Sequence, residues 1–228
     1  MWIRGKPSSI SMKPYYADNL VTLYHGDCRE ILPTVSAGAI ITDPPYGIDY
    51  GRAGGFSGTH GWGPWRENVT WDAERPPREI FDALIALNVQ IVIWGGNYFS
   101  DFLPPRMGWI AWDKGQRDFS LADFELAWTS EQKAARCVVM PRSVAKQDGK
   151  VHPTQKPIWV MSQCIEYLDR GTKPIDNILD PFAGSGTTLI AAADLNRKAI
   201  GIEIEERYCE IAARRLASRT PSMFGGQK

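Results

Sequence analysis

Residues 177–196 constrain this chain more than any other stretch. Asn177-Ile178-Leu179 is short and apolar and ends at Asp180, Pro181-Phe182-Ala183-Gly184-Ser185-Gly186 breaks the run, and residues 187–196 resume with helical spacing. A buried strand, a tight glycine turn and a helix in succession belong to an α/β sheet, whose ligands collect at the carboxyl edge. Two common uses of such a turn are excluded by its residues. A phosphate loop needs a lysine before Ser or Thr, whereas Gly186 leads straight into Thr187-Thr188. The dinucleotide fingerprint needs a third glycine where Leu189 stands. The turn therefore suits a nucleoside-like cofactor without pyrophosphate, held by Asp180, Pro181, Phe182, Ala183, Gly184, Ser185, Gly186, Thr187 and Thr188. One strand later comes Glu203, at about the spacing where a carboxylate meets ribose hydroxyls in nucleotide-binding folds. The same position also suits a surface residue at a strand end; the loop before it favours the ribose.

A second stretch, Asp43-Pro44-Pro45-Tyr46, follows the apolar run Ala39–Thr42 and precedes Gly47. It reads as the carboxyl end of a buried strand breaking into a turn. Two prolines fix two φ angles and remove two backbone donors, leaving carbonyls that only accept. With the Asp43 carboxylate beside them and the Tyr46 ring next to it, the segment can grip an exocyclic amine by both N–H bonds while stacking on its ring. A four-residue match alone describes a rigid turn; the glycine loop downstream changes that reading.

The rest of the chain supplies an alternating frame. Residues 19–25 read as a strand stopping at Gly26-Asp27, with a short helix over 29–32. Pro76-Pro77 opens a helix with apolar residues at Ile80, Phe81, Leu84, Ile85 and Leu87, and residues 89–94 form a continuous apolar strand buried on both faces. Further strands are expected over 109–112, 124–128, 136–140 and 199–204, and helices after His152-Pro153-Thr154-Gln155-Lys156-Pro157 and over 205–219. Thr154 is the expected N-cap of the first of these helices, with Pro157 in its first turn. The expected architecture is a single α/β domain over 1–228, doubly wound, mostly parallel, with helices on both faces. The tail from residue 220 is expected to fray.

Lysine plus arginine and aspartate plus glutamate both number 26, so nucleic acid cannot be held by bulk charge. Any DNA contact must be local. Within 132–150, Lys133, Arg136, Arg142, Lys146 and Lys150 face Asp148 alone, and the aromatic, Gly-rich segment 47–71 adds Arg52 and Arg66. That segment reads as a flap over nucleic acid or as a surface insertion. Four cysteines, at 28, 137, 164 and 209, form no C-x-x-C pair and read as free thiols in a reducing compartment, not a metal site. No window approaches a membrane span and the start lacks a secretory core, so a cytoplasmic protein is expected.

The two motifs in this order resemble the β-class of DNA amino-methyltransferases that use S-adenosylmethionine, in which D-P-P-Y precedes F-x-G-x-G. The likeness extends to Gly26-Asp27-Cys28, similar to the family's adenine-contacting turn, and to His152–Pro157, similar to its methionine-side motif. It implies a Rossmann-like fold with permuted motif order and base flipping in double-stranded DNA. Catalysis would fall to Asp43, Pro44, Pro45 and Tyr46. The cofactor would meet Asp27, Cys28 and Asp43, with Thr154 and Lys156 reaching its carboxylate and Phe182 near the sulfonium or adenosine. Aspartate at the first motif position points to adenine N6; cytosine N4, an RNA substrate and a non-catalytic binding homologue are the alternatives. Residues 130–151 leave little room for target recognition, so a homodimer or partner subunit is a further expectation, in a bacterial or phage setting.

Overall fold

The computed structural model describes residues 13–48, 72–117, 122–141, 144, 155–171 and 175–219. Among them nine strands form one sheet: β1 (Tyr16–Ala17), β2 (Val21–His25), β3 (Ala39–Thr42), β4 (Gln90–Trp94), β5 (Trp109–Asp113), β6 (Phe124–Thr129), β7 (Arg136–Val139), β8 (Asn177–Asp180) and β9 (Lys198–Glu203). The helices are α1 (Cys28–Ile31), α2 (Arg78–Ala86), α3 (Ile158–Asp169), α4 (Thr187–Asp194) and α5 (Glu206–Ala217). Strand order is β1-β2-β9-β8-β3-β4-β6-β5-β7. The run from β2 to β4 is parallel throughout, whereas β1 and β6 are antiparallel to their neighbours.

The two-residue period of the central strands sorts the core into two layers. Ala39 and Ile41 of β3, with Val92 and Trp94 of β4, join α3, α4 and α5 on one face. Ile40, Ile91 and Ile93 join α1 and α2 on the other. Strands buried on both faces read as unbroken apolar runs, as β3 and β4 do. The expected doubly wound, mostly parallel sheet is thus present.

Local chemistry sets the helix ends. Pro77, extended at ψ 150, stands immediately before α2, which buries Ile80, Phe81 and Leu84. Leu87 falls at the C-cap and is 41 % exposed, so the expected apolar stripe ends one turn earlier. The helix after His152 also starts later than expected. Pro157 is extended at φ −63, ψ 143 and precedes the first turn of α3 instead of lying in it. A proline biases the residue before it away from the helical region, so α3 begins only after Pro157, and Lys156 before it is buried in the protein. Thr154, the expected cap, lies outside the described residues, as do nearly all of the segment 47–71 and the tail from 220. No helix among the described residues is long and apolar enough to cross a membrane.

Phe81 anchors the α2 layer, 1 % exposed, with ring centroids 4.7 Å from Phe99 and 5.4 Å from Phe102. Phe81→Ala should lower unfolding free energy by about 3–5 kcal/mol, read from the denaturant midpoint at unchanged slope.

Candidate active site

The two sequence motifs end adjacent parallel strands. From β3 the chain winds toward β4, and from β8 it winds toward β9 on the other side. The order of winding therefore reverses between them, and a crevice opens at their carboxyl ends. Pairing of Ala39 with Ile178 and of Ile40 with Leu179 brings Thr42 level with the start of the glycine turn. Thr42 Oγ1 donates to Asp180 Oδ1 at 2.7 Å, and the Phe182 amide donates to the same oxygen at 3.1 Å. Asp180 is 2 % exposed. Burial pushes its carboxyl up to about 6, with hydrogen bonds from Thr188 and Thr42 limiting the rise.

The turn itself is held from three sides. Gly186, at φ +81, begins α4, and a Cβ there would lie 2.9 Å from Ala212 Cβ, so this glycine lets α4 and α5 approach. Arg215 reaches across from α5 to donate to the Ser185 carbonyl at 2.6 Å and its hydroxyl at 3.1 Å. Glu203 accepts the Gly184 amide at 2.7 Å through one carboxylate oxygen and the Glu205 amide at 2.8 Å through the other. The expected ribose ligand therefore also fastens the turn. Next to it, Gly26 donates to the Glu203 carbonyl at 2.9 Å, and Asp27 caps α1 by accepting the Arg29 amide at 2.8 Å.

These pieces enclose a cavity of about 370 Å³. Asp27, Cys28, Asp43, Pro45 and Lys156 line it, together with Asp180 through Ser185, Thr187, Thr188 and Glu203. Residues not singled out from the sequence complete the wall, notably Ile80, Gln155, Met161 and Tyr208. Met161 is reachable from sequence only as part of the apolar face of α3; nothing in its spacing says that this face ends at a ligand. Burial raises the Cys28 thiol to about 11, which keeps it an unreactive apolar surface.

Behind the cavity lies a buried charge cluster. Lys156 is 4 % exposed, and its Nζ lies 2.7 Å from Asp43 Oδ2 and 3.0 Å from Glu125 Oε2. It also donates to the Tyr46 hydroxyl at 3.0 Å, and that hydroxyl donates to Asp43 Oδ1 at 2.6 Å. The ammonium sits 5.4 Å from the Tyr46 ring centroid and 5.5 Å from that of Trp94. Burial opposes its charge, but Asp43 and Glu125 hold its pKa well above the ordinary lysine value. Burial raises the Asp43 carboxyl above its usual range, with Lys156 and Tyr46 acting the other way. The expectation for Lys156 was a cofactor carboxylate; in the structure its partners are protein carboxylates and a phenol.

Tyr46 is positioned by groups the sequence did not mark. Its amide and that of Gly47 donate to Asp72 Oδ1 at 2.7 and 3.0 Å, across the segment that separates them in sequence. Its ring lies on Gly95, where a Cβ would fall 2.2 Å from Tyr46 Cε1, and stacks on Tyr98 with centroids 4.8 Å apart and planes at 13°. Neither Tyr46 nor Pro44 lines the cavity.

The expected basic patch is dispersed among the described residues. Lys133 pairs with Glu131 at 3.2 Å and lies 5.2 Å from the Tyr167 centroid, at the level of the amino end of β4 and so away from Asp43. Arg136 is exposed on β7, four strand positions from β3; at the usual strand spacing that is about 19 Å. Arg52, Arg66, Arg142, Lys146 and Lys150 lie outside the described residues.

Asp180 gives a pH-dependent signature. A carboxyl whose folded pKa is raised stabilises the fold below its unfolded pKa and loses that contribution as pH rises through about 6. Relative to Asp180→Asn, the protein should lose about 2 kcal/mol of stability between about pH 4 and pH 7, measured by denaturant titration of both proteins across that range.

Comparison with known proteins bears on the family and the fold. The chain is similar to the type II methyltransferase M2.DpnII of Streptococcus pneumoniae, 32% identical over 151 residues that cover 65% of this chain and 50% of that protein. This chain thus spans half the length of that relative. Its fold is that of M1.HpyAVI, solved as a SAM complex, with TM-score 0.55, 24% identity and coverage of 86% of this chain and 100% of that one. It is also the fold of the cytosine-N4-specific PvuII DNA methyltransferase, with TM-score 0.58, 15% identity and coverage of 93% and 91%. A family model described as DNA methylase, of the N6/N4 methyltransferase group, matches residues 92–214, just over half of the chain, and by that match the chain belongs to the DNA methylase family.

Proposed function

We propose that this chain transfers the methyl group of S-adenosylmethionine to the exocyclic N6 amine of an adenine flipped out of double-stranded DNA. The observation that carries the reading is the position of Asp43: a carboxylate oriented by Tyr46 and Lys156, on the strand beside the glycine turn, opening on the same cavity.

The cavity has the chemistry for such a cofactor. A Cβ on Gly184, at φ +51, would meet nothing within 4 Å, so the turn faces open space. Apolar Ile80, Phe182 and Met161 suit an adenine ring and the methylene groups beside the sulfur, and the Glu203 carboxylate keeps acceptor capacity for hydroxyls. When bound, S-adenosylmethionine supplies an electrophilic methyl group on a sulfonium.

The protein's task is to make an aromatic amine nucleophilic, since its lone pair is delocalised into the ring. Asp43 and the Pro44 carbonyl each accept one N–H, drawing the nitrogen toward a tetrahedral shape and freeing the lone pair for in-line attack. Charge developing on nitrogen is met by Asp43, which acts on the transition state more than on the ground state. Pro45, which lines the cavity, forms the wall against which the flipped base rests, offsetting an unstacking cost of a few kcal/mol, while Tyr46, packed on Gly95 and Tyr98, holds Asp43 in place. Asp27, Cys28, Thr154 and the Asp180–Thr188 turn hold the cofactor, and Lys156 stands on the cavity wall with its donors on Asp43, Glu125 and Tyr46. Arg52, Arg66, Arg136, Arg142, Lys146 and Lys150 supply flanking phosphate contacts, with a second copy or a partner subunit extending the reach. The setting is a bacterial cytoplasm, as the modification arm of a restriction system.

Cytosine N4 is the second reading, favoured by the likeness of fold to the PvuII enzyme. Incubation with unmethylated duplex DNA and S-adenosylmethionine, digestion and mass spectrometry of the nucleosides should show N6-methyladenine; N4-methylcytosine would keep the mechanism and change the base. Asp43→Ala should lower the methylation rate about 10²–10³-fold with cofactor affinity within about threefold of wild type. A parallel collapse of cofactor affinity would refute the role given to Asp43.

A further inference from the structure

Glu125 lies outside both motifs and does not line the cavity, yet it is the second anion on Lys156. It belongs to β6, which runs antiparallel to β4 and so presents its amino end, not its carboxyl end, at the crevice. Across the adjoining pair Glu125 stands opposite Trp112, which places Lys114 on the same face of β5 two residues on. Lys114 Nζ lies 2.6 Å from Glu125 Oε1, and Lys156 Nζ lies 3.0 Å from Glu125 Oε2. The result is a linear alternation of charge: Lys114, Glu125, Lys156, Asp43.

We propose that Glu125 is a positioning residue for methyl transfer, holding Lys156 between two carboxylates so that Asp43 stays fixed in orientation without being neutralised by a lysine of its own. The inference rests on the reading of Asp43 as the acceptor of the amine protons. Its physical basis is the division of one cation between two anions. A lysine paired with Asp43 alone would withdraw negative charge from the oxygen that must stabilise charge on the substrate nitrogen. Shared with Glu125, it gives Asp43 the hydrogen bond at 2.7 Å while the three groups nearest the crevice, Asp43, Lys156 and Glu125, sum to one negative charge, which Lys114 balances only from the far side of Glu125. The protein charges around the cluster agree with this division. Burial opposes ionisation of Glu125, which is 28 % exposed, and the two lysines overcome it and bring its carboxyl down to about 2. Glu125 is therefore a fixed negative charge through the working pH range, and it acts on Asp43 in the direction that raises its pKa.

The test is the pH profile of single-turnover methylation on duplex DNA, with S-adenosylmethionine affinity measured alongside. Glu125→Gln removes the shared anion, so Lys156 serves Asp43 alone. The plateau rate should fall about tenfold. Asp180, the neighbouring carboxyl that titrates at about 6, is common to wild type and variant, so the part of the acid limb set by ionisation of Asp43 should move down by about 0.5–1 pH unit. Cofactor affinity should stay within about threefold. Lys114→Gln releases Glu125 from its outer partner and should move the acid limb the other way, upward, which keeps the proposal testable if Glu125→Gln folds poorly. Glu125→Asp should restore part of the rate. An unchanged rate in Glu125→Gln, or a loss of rate with the limb unmoved in both variants, would overturn the proposal. Full activity in Asp43→Asn would instead remove the reading beneath it, and the proposal with it.

Discussion

Everything at this site depends on β3 and β8 lying side by side. Their residues are far apart in sequence, and the hydrogen bond from Thr42 to Asp180 at 2.7 Å is the side-chain contact that joins the two motif-bearing ends. Because the chain winds outward in opposite directions from these two strands, no crossover among the described residues covers the crevice above them. Asp43 and the glycine turn thus share one cavity, although each is built from its own strand–turn unit.

The electrostatic design around that crevice carries a cost. Two carboxylates, a phenol and an ammonium are packed behind the cavity, and removing charges from water costs several kcal/mol per ion before pairing repays it. Such a cluster is a weak source of stability. Its value is orientation: Asp43 receives a directed hydrogen bond on each oxygen, one from Tyr46 and one from Lys156. Tyr46 in turn is held by its own backbone through Asp72, by Gly95 beneath its ring and by Tyr98 stacked on it. A catalytic group held this way needs little reorganisation when charge develops.

The cofactor side follows a different logic, built on backbone groups. Glu203 accepts amides from the turn and from its own strand end, Gly26 donates to the Glu203 carbonyl, and Arg215 ties Ser185 to α5. These contacts set the shape of the turn before any ligand is considered. Part of the binding specificity therefore lies in residues that need never touch the ligand.

Much of this was legible in the sequence, for reasons of local chemistry. Apolar runs fixed β3, β4 and β8 almost to the residue, because strands buried on both faces read as near-continuous apolar runs, with polar side chains only at their ends. The prolines and glycines of both motifs dictated turns at strand ends, since few other residues adopt those backbone angles. Sequence alone did not place the start of α3, because the effect of Pro157 on Lys156 competes with the capping pattern before it. The residues that orient the site, Glu125, Asp72, Tyr98 and Arg215, carry no local signature. Glu125 reaches Lys156 only because β6 is antiparallel, and Asp72 holds the Tyr46 amide although 26 residues separate the two in sequence. The sequence by itself determined the elements, the two motifs and the class of chemistry they allow, all of which rest on spacing and backbone preference. Tertiary structure alone decided which charges meet, because strand order and direction, not distance along the chain, set the separation between ions.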